Sequence, residues 1–524
     1  MTSAPRPINL ADILEAMADV VPDRLAIVTM DRDYTFAKID ERSTRMANHL
    51  VSIGVRPGDH VAVHSANRIE WVDAFYGCLK ARAVPININY KYLRDELTYL
   101  YDNADCVAAI VAPEHVAAVQ ELELSQLKHL IVMGEEYDAA LAAASTERLG
   151  GRTPDDHYVL YTGGTTGNPK GVVWRNEDII RAALNASRFG APFDSVEQLA
   201  QEAAANENPM VLLACGPMMH GGSQWILGNG HVGGYAVALY TEPNFSAETV
   251  LDLVQKAGVN SLTFLGDAMG RPVAEAILAE PDRWDLSSLA AVSNGAAPLS
   301  EGVREEIRRA LPGRFILDSY GSSESGTTGS RIDDGSEGPV GAPKFGVGAD
   351  VEVFDEEMKP CPPGVDGMLG RSGPIPLGYY KDPEKTAATF KEYNGTRWSI
   401  PGDAARREED GTVTVLGRGS VCINTGGEKV HPEEVEAVLL RHEDVFDAVV
   451  VGTPHERWGQ QVTALVQRRD DSEVTEDDLR AHARSLISNY KVPKQIVFVP
   501  KVPRTPVSKV DYPASTELAL ELLT

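Results

Sequence analysis

The sequence predicts an α/β chain: a large N-terminal domain of helix-covered β-sheets with a β-rich subdomain, then a small, mobile α+β C-terminal domain. Three observations carry that prediction. Strand-like apolar runs alternate with amphipathic helical stretches from residue 10 to about 320, the pattern of repeated βα units. From about residue 335 the composition turns to Gly, Pro and short β-rich runs. A Gly-rich stretch at 417–420 then leads into a separate unit, which places a hinge there and divides the chain into 1–417 and 418–524.

The elements follow in order. Thr35 can cap a helix whose Ile39, Met46, Leu50 and Ile53 share one face and which Gly54 closes. Residues 61–63 and 107–111 read as strands, and 69–80 and 92–103 as helices. Asn176, Glu177 and Asp178 open a helix that ends near Gly190, and the polar stretch 197–208 reads as a surface insertion. The strand-like run 211–215 leads into Pro217-Met-Met-His220-Gly-Gly, followed by Gly228, Gly230, Gly233 and Gly234. Those glycines either leave room for a bulky ligand or make turns. Residues 259–265 read as a strand, with a helix near 269–278. Two further strands, 289–292 and 315–317, run into Gly/Ser-rich loops at 294–298 and 318–324. In open α/β sheets ligands gather at such strand ends. Strands at 350–354, 367–371 and 412–416 make the β subdomain, with residues 400–403 in a turn. Beyond the hinge, Pro432, Glu433 and Glu434 open a helix, 446–451 and 462–467 are strands, and Thr475 with Asp478 caps a last helix.

Composition narrows the function. The 524 residues suffice for several large cores, with 43% apolar and 24% charged residues. A net charge of −27 argues against a nucleic-acid binder and requires any polyanionic ligand to find a local basic patch. The five cysteines form no C-x-x-C pair and fit a reducing compartment. No signal peptide is visible in the first 30 residues, and no run reaches the roughly 18 apolar residues needed to span a bilayer, so a cytoplasmic location is expected.

One stretch organises the chain: Tyr161-Thr-Gly-Gly-Thr-Thr-Gly-Asn-Pro-Lys170. Glycines let backbone N–H groups approach a ligand, threonine hydroxyls add donors, and Lys170 adds a charge suited to phosphate. A glycine-rich hairpin without a ligand is the plainer reading. The Walker loop needs G-x-x-x-x-G-K-[ST] opening a helix, and here Asn168-Pro169 precede the lysine and an apolar run follows it. Taken singly, His220 is more often a structural histidine, Glu324 reads also as a helix-start acid, Asp403 and Arg418 as surface ions, and Lys509 as a solvated tail lysine.

The loop, with the motifs that follow it in order, resembles the adenylate-forming superfamily of acyl-CoA synthetases, carrier-protein adenylation domains and luciferases. The resemblance covers nearly the whole chain. It implies the adenylate-forming enzyme fold and an enzyme in which a carboxylic acid attacks ATP to give acyl-adenylate and pyrophosphate. The small domain then rotates, and in the ligase branch the thiol of coenzyme A displaces AMP. By matching position, Thr162, Gly163, Gly164, Thr165, Thr166, Gly167 and Lys170 would hold the phosphates, with Thr165 counted among the catalytic residues. Gly295, Ala296, Ala297 and Pro298, with Asp318, Ser319, Tyr320 and Gly321, would flank the adenine. Ser323 and Glu324 stand for the usual Thr-Glu pair, Glu324 placing Mg²⁺. Asp403 and Arg418 would take the ribose hydroxyls, Gly426 and Gly427 belong to the nucleotide-binding set, His220 would lie beside the acyl carboxylate, and Lys509 would bridge that carboxylate and the α-phosphate.

The chain departs from the pattern at Ser420, commonly Asp or Lys, and at Asn424, where lysine is frequent. The phrases around 171–174 and 417–430 look like actinobacterial ligases for steroid side-chain carboxylates. A straight medium- or long-chain fatty acid is the second expected substrate. The partners implied are a carboxylic acid, ATP and coenzyme A, with a homodimer as the assembly considered. An enzyme loading a carrier protein and a nucleotide-binding protein without catalysis are the readings from other classes.

Overall fold

The computed structural model describes residues 5–523 apart from 163–167, 189, 296, 298, 334–341, 419–420, 426–427, 456–458 and 506–509. It has the adenylate-forming fold, a large N-terminal domain of mixed α/β sheets and a small C-terminal domain. One parallel sheet runs in the order Val84–Asn87, His60–His64, Cys106–Val111, His129–Val132. Its strands are apolar on both faces: Val61 and Val63 join one core, Ala62 the next. The helices Phe36–Ser52 and Ile69–Lys80 cover the first face, and Arg94–Asn103 the second.

A second, 15-stranded sheet begins as a parallel array with Ala236–Leu239, Val211–Ala214, Ser261–Phe264, Ala291–Asn294 and Phe315–Ser322 as successive neighbours. It continues antiparallel through Gly326–Asp333 and Lys344–Val347 into the β subdomain, where Val413–Arg418 and Asp403–Arg407 lie side by side. The β subdomain is therefore an extension of the large sheet. The strand Val413–Arg418 is followed by the sheet of the C-terminal domain. Gly417 has φ +101°, and the Glu433 side chain packs where its Cβ would stand, so only glycine fits.

The C-terminal domain has its own sheet, made of Ile423–Thr425, Glu428–Val430, Val445–His455, Gly459–Arg468 and Gln495–Phe498. Its core is drawn from residues 423–519, including Val435, Leu439, Val450 and Ala464. It meets the large domain where Arg271 lies 4.8 Å under the Phe446 ring and Glu306 accepts from both Arg271 and Arg469.

Three sequence expectations are corrected. The polar stretch 197–208 is no surface insertion but the helix Val196–Ala205. Ser195 caps it, and Val196, Leu199, Ala200 and Ala203 turn inward, packed with the helix Leu10–Val20. The loop expected at 318–324 is largely strand: Phe315–Ser322 pairs antiparallel with Gly326–Asp333, and only residues 323–325 turn. Gly321 is required there, because a Cβ would stand 2.2 Å from the Gly326 carbonyl oxygen. Finally, Gly228, Gly230 and Gly233 open no space. Leu184, Val237 and Tyr235 already fill the positions of their missing Cβ atoms, so these glycines bring the helix Gly221–Val232 close to its neighbours.

Candidate active site

The site is built on the antiparallel hairpin His157–Thr162 and Lys170–Arg175, whose register sets Thr162 opposite Lys170. Both faces of the hairpin are buried. Tyr158, Leu160, Val172 and Trp174 enter the main core, and Val159, Tyr161 and Val173 enter the core over the parallel sheet. Each such side chain contributes about 1.5–3 kcal/mol, so the base of the loop is firmly placed. Gly163, Gly164, Thr165, Thr166 and Gly167 lie outside the described residues.

Two buried asparagines at the carboxyl edge of the parallel sheet brace the His220 turn, and Asn87 ties it to this hairpin. Asn87 accepts from Tyr161 N at 2.8 Å and donates to Tyr161 O at 2.9 Å and Met219 O at 2.7 Å. Asn67 accepts from Met218 N at 2.6 Å and donates to Gly216 O and Tyr240 O. His220 then occupies the position before the helix Gly221–Val232. Beneath it Gln224 donates to Met218 O at 2.9 Å and accepts from the buried Tyr158 hydroxyl at 2.8 Å. Gly221 is pressed on Leu160, whereas Gly222 meets only Leu265, at 3.8 Å.

Glu324 stands in the 323–325 turn, and three side chains grip that turn. Trp174 Nε1 donates to Ser323 O at 3.0 Å, Ser399 Oγ to Glu324 O at 2.6 Å, and Tyr379 Oη to Glu324 Oε1 at 2.9 Å. Lys170 is ion-paired with Asp382. The Lys170 ammonium, helped by the Lys385 N–H, holds the Asp382 carboxyl below the usual carboxylate range. Lys170 and Glu324 are thus brought together through residues 379–382. Among the described residues no group of three or more His, Cys, Asp or Glu could hold a metal ion. One well-held carboxylate suits a hard cation that arrives with phosphate oxygens, as Mg²⁺ does.

Next to this turn, Asn294, at the end of its strand, is the register partner of Asp318. Asn294 donates to Ala297 O at 3.0 Å and Asp318 Oδ1 at 3.2 Å, and accepts from Gly266 N. Gly295 starts the small loop that Asn294 ties down, and a Cβ added to it would stand 3.7 Å from Ser319 O. The Asp318 carboxylate is buried and accepts from Arg304 and Arg331, so contact with a base from this residue would come from its backbone. Tyr320 packs on Phe345 with ring centres 5.4 Å apart. Asp403 is the register partner of Arg418. The Arg418 side chain, Ala296, Pro298, Gly426, Gly427 and Lys509 lie outside what is described.

The AMP-binding enzyme family model matches residues 14–380, and the model of the AMP-binding enzyme C-terminal domain matches 434–509. The chain belongs to the AMP-binding enzyme family. It is 44% identical to the 3-oxocholest-4-en-26-oate--CoA ligase of Rhodococcus rhodochrous, over 96% of this chain and 95% of that one. It is 42% identical to the medium/long-chain-fatty-acid--CoA/3-oxocholest-4-en-26-oate--CoA ligase of Mycobacterium tuberculosis (strain ATCC 25618 / H37Rv), with the same coverage. Among solved structures, ATP-bound MatB from Rhodopseudomonas palustris aligns with a TM-score of 0.84 at 25% identity, covering 98% of this chain and 100% of that one. The anthranilate CoA ligase AuaEII in complex with anthranoyl-AMP aligns with a TM-score of 0.84 at 23% identity, covering both chains fully, a likeness of fold. In this AMP-binding enzyme no helix among the described residues is long and apolar enough to cross a membrane.

Tyr379, Asp382, Asn67 and Asn87 are the site residues that sequence reasoning missed. The only signal for the asparagines is their place just beyond or at the end of a strand-like run. For Tyr379 and Asp382 there is none, since their partners stand 55 and 212 residues away.

Proposed function

We propose that this AMP-binding enzyme is an ATP-dependent acyl-CoA ligase for a bulky, largely apolar carboxylic acid, a steroid side-chain carboxylate in first place. An oxygen of the acid attacks the α-phosphorus and pyrophosphate leaves. The sulfur of coenzyme A then attacks the acyl carbonyl, AMP leaves, and the thiol proton passes to solvent. Lys170 and the Thr162–Lys170 loop hold the phosphates. Glu324 holds Mg²⁺, which neutralises phosphate charge when bound. Asp403 and Arg418 hold the ribose, His220 orients the acid, and Lys509 steadies charge at the α-phosphate. The chemistry asks mainly for positioning and charge stabilisation, which these residues supply. The domain division falls at 417/418.

The observation that carries this reading is the Lys170 hairpin and the Glu324 turn meeting at one segment, in a chain alike over nearly its full length to enzymes named as CoA ligases. A medium- or long-chain fatty acid is the second reading, favoured by the double name of the mycobacterial relative. A CoA-dependent AMP-release assay over steroid side-chain, fatty and aryl carboxylates tests both. Steroid side-chain acids are expected to exceed palmitate in kcat/KM, and a preference for palmitate would reverse the order. Turnover with a carrier protein but not with free coenzyme A would remove the ligase reading.

A further inference from the structure

The segment that joins Lys170 to Glu324 has no role in the reaction as set out above. Residues 377–380 run antiparallel along the outer edge of the strand Lys170–Arg175. Leu377 N donates to Val173 O and Tyr380 N to Gly171 O, each at 2.8 Å, with Tyr379 the register partner of Val172. The next turn therefore falls beside Lys170. It is tightly tied: Thr386 Oγ1 accepts from Tyr379 N at 2.9 Å and donates to Asp382 O at 2.7 Å. Asp382 Oδ1 also accepts from Lys385 N at 2.9 Å. On its far side the segment is fastened to the parallel sheet, where Asp105 takes the Tyr380 hydroxyl at 2.9 Å and the Lys381 ammonium at 2.5 Å. Tyr380 and Lys381 thus anchor the strap, and Tyr379 and Asp382 reach into the site.

We propose that this strap positions the nucleotide site: Tyr379 fixes the Glu324 carboxylate, and Asp382 holds Lys170 as a placeholder that the triphosphate of ATP displaces. The proposal rests on the reading of the hairpin as an ATP site. A phenol suits the first task, because it donates one hydrogen bond and leaves the acid its charge. The Tyr379 ring belongs to the main core, so the hydroxyl has a fixed origin. Asp382 suits the second task because the pair is weak. The Lys170 side chain is 38% exposed and that of Asp382 28%, and ion pairs of that exposure contribute little. A polyanion with several charges outcompetes a single carboxylate. Until it does, the carboxylate holds the lysine in a protein of net charge −27.

Calorimetric titration of ATP with Mg²⁺, without acid or coenzyme A, tests both residues. In D382N the asparagine oxygen can still accept from Lys385 N, and the competing charge is gone. ATP should bind about two- to fivefold tighter. In the K170A background the same substitution should change nothing. Y379F keeps the packed ring and should raise the Mg²⁺ concentration for half-maximal ATP binding at least threefold. Unchanged or weaker ATP binding in D382N, or a gain that persists without Lys170, overturns the placeholder. An unchanged Mg²⁺ requirement in Y379F, with an unchanged thermal melt, overturns the positioning role. If the wild type does not bind ATP, or K170A binds it equally well, the ATP-site reading itself fails and the strap proposal with it.

Discussion

Glu324 takes a hydrogen bond from Tyr379 on one carboxylate oxygen, and a glutamine oxygen can accept the same bond. Glu324→Gln should therefore fold with an unchanged melting temperature yet lose at least tenfold in Mg²⁺-dependent adenylation, measured as pyrophosphate release. A variant with full turnover and the same magnesium requirement would take Glu324 out of the site. At this scale the sequence was readable where chemistry concentrates in a short span. Lys170 sits behind three glycines and three threonines, and Glu324 follows a Gly-Ser-Ser run. Asn87 was not readable. It is one asparagine in an apolar stretch, and its work lies in bonds to backbone atoms of Tyr161 and Met219, which leave no spacing in the sequence.

Among elements, the helix Pro432–Leu439 carries a feature that makes stability depend on pH. Glu436 is buried between Val450 N, 2.8 Å away, and the Tyr512 hydroxyl at 3.3 Å. Burial, then the nearby charge of Glu433, pushes its carboxyl up to about 8 from an ordinary 4.5. Below the ordinary value both folded and unfolded chains hold the proton, and the group costs nothing. Between that value and about 8 the unfolded chain releases a proton that the folded chain keeps, so stability falls as pH rises and the loss is complete above 8. Glu436→Gln removes the titration. Its melting temperature should match wild type near pH 4.5 and exceed it by on the order of 2 °C or more at pH 8. A constant gap across that range would mean that Glu436 is not the group responsible. Element reading from sequence succeeded where side chains repeat with the helix: Ile69–Lys80 was legible to the residue, and so were the caps at Thr35 and Thr475. It failed at Val196–Ala205, whose outward Glu197, Gln198 and Glu202 hide four inward residues. It failed again at Phe315–Ser322, because Gly and Ser pair by backbone alone.

Across the whole molecule, the proposed rotation of the small domain would assign Lys509 to one half of the reaction. If the small domain turns between the steps, Lys509 is near the phosphate only during adenylation. Removing one preorganised charge of this kind costs about 10²–10³ in rate. Lys509→Ala should lose adenylation by at least that factor and still convert synthetic acyl-adenylate and coenzyme A to thioester at close to the wild-type rate, on a preparation shown by thermal melt to be folded. Equal loss in both halves would make Lys509 structural. The presence of a large and a small domain was legible because the composition changes along the chain. The continuity of the large sheet into the β subdomain was not, since strand order depends on pairings far apart in the chain.

The strand Val413–Arg418 ends the large sheet's share of the chain, and the sheet of the C-terminal domain, among the described residues, takes no strand from the other side. In the proposed mechanism the small domain would act as a reagent on a short tether. A linker of a few residues gives such a partner a local concentration on the order of millimolar or more. If the small domain turns as proposed, Lys509 would reach the nucleotide by rotation and not by search, so the enzyme would not have to wait for its own second half.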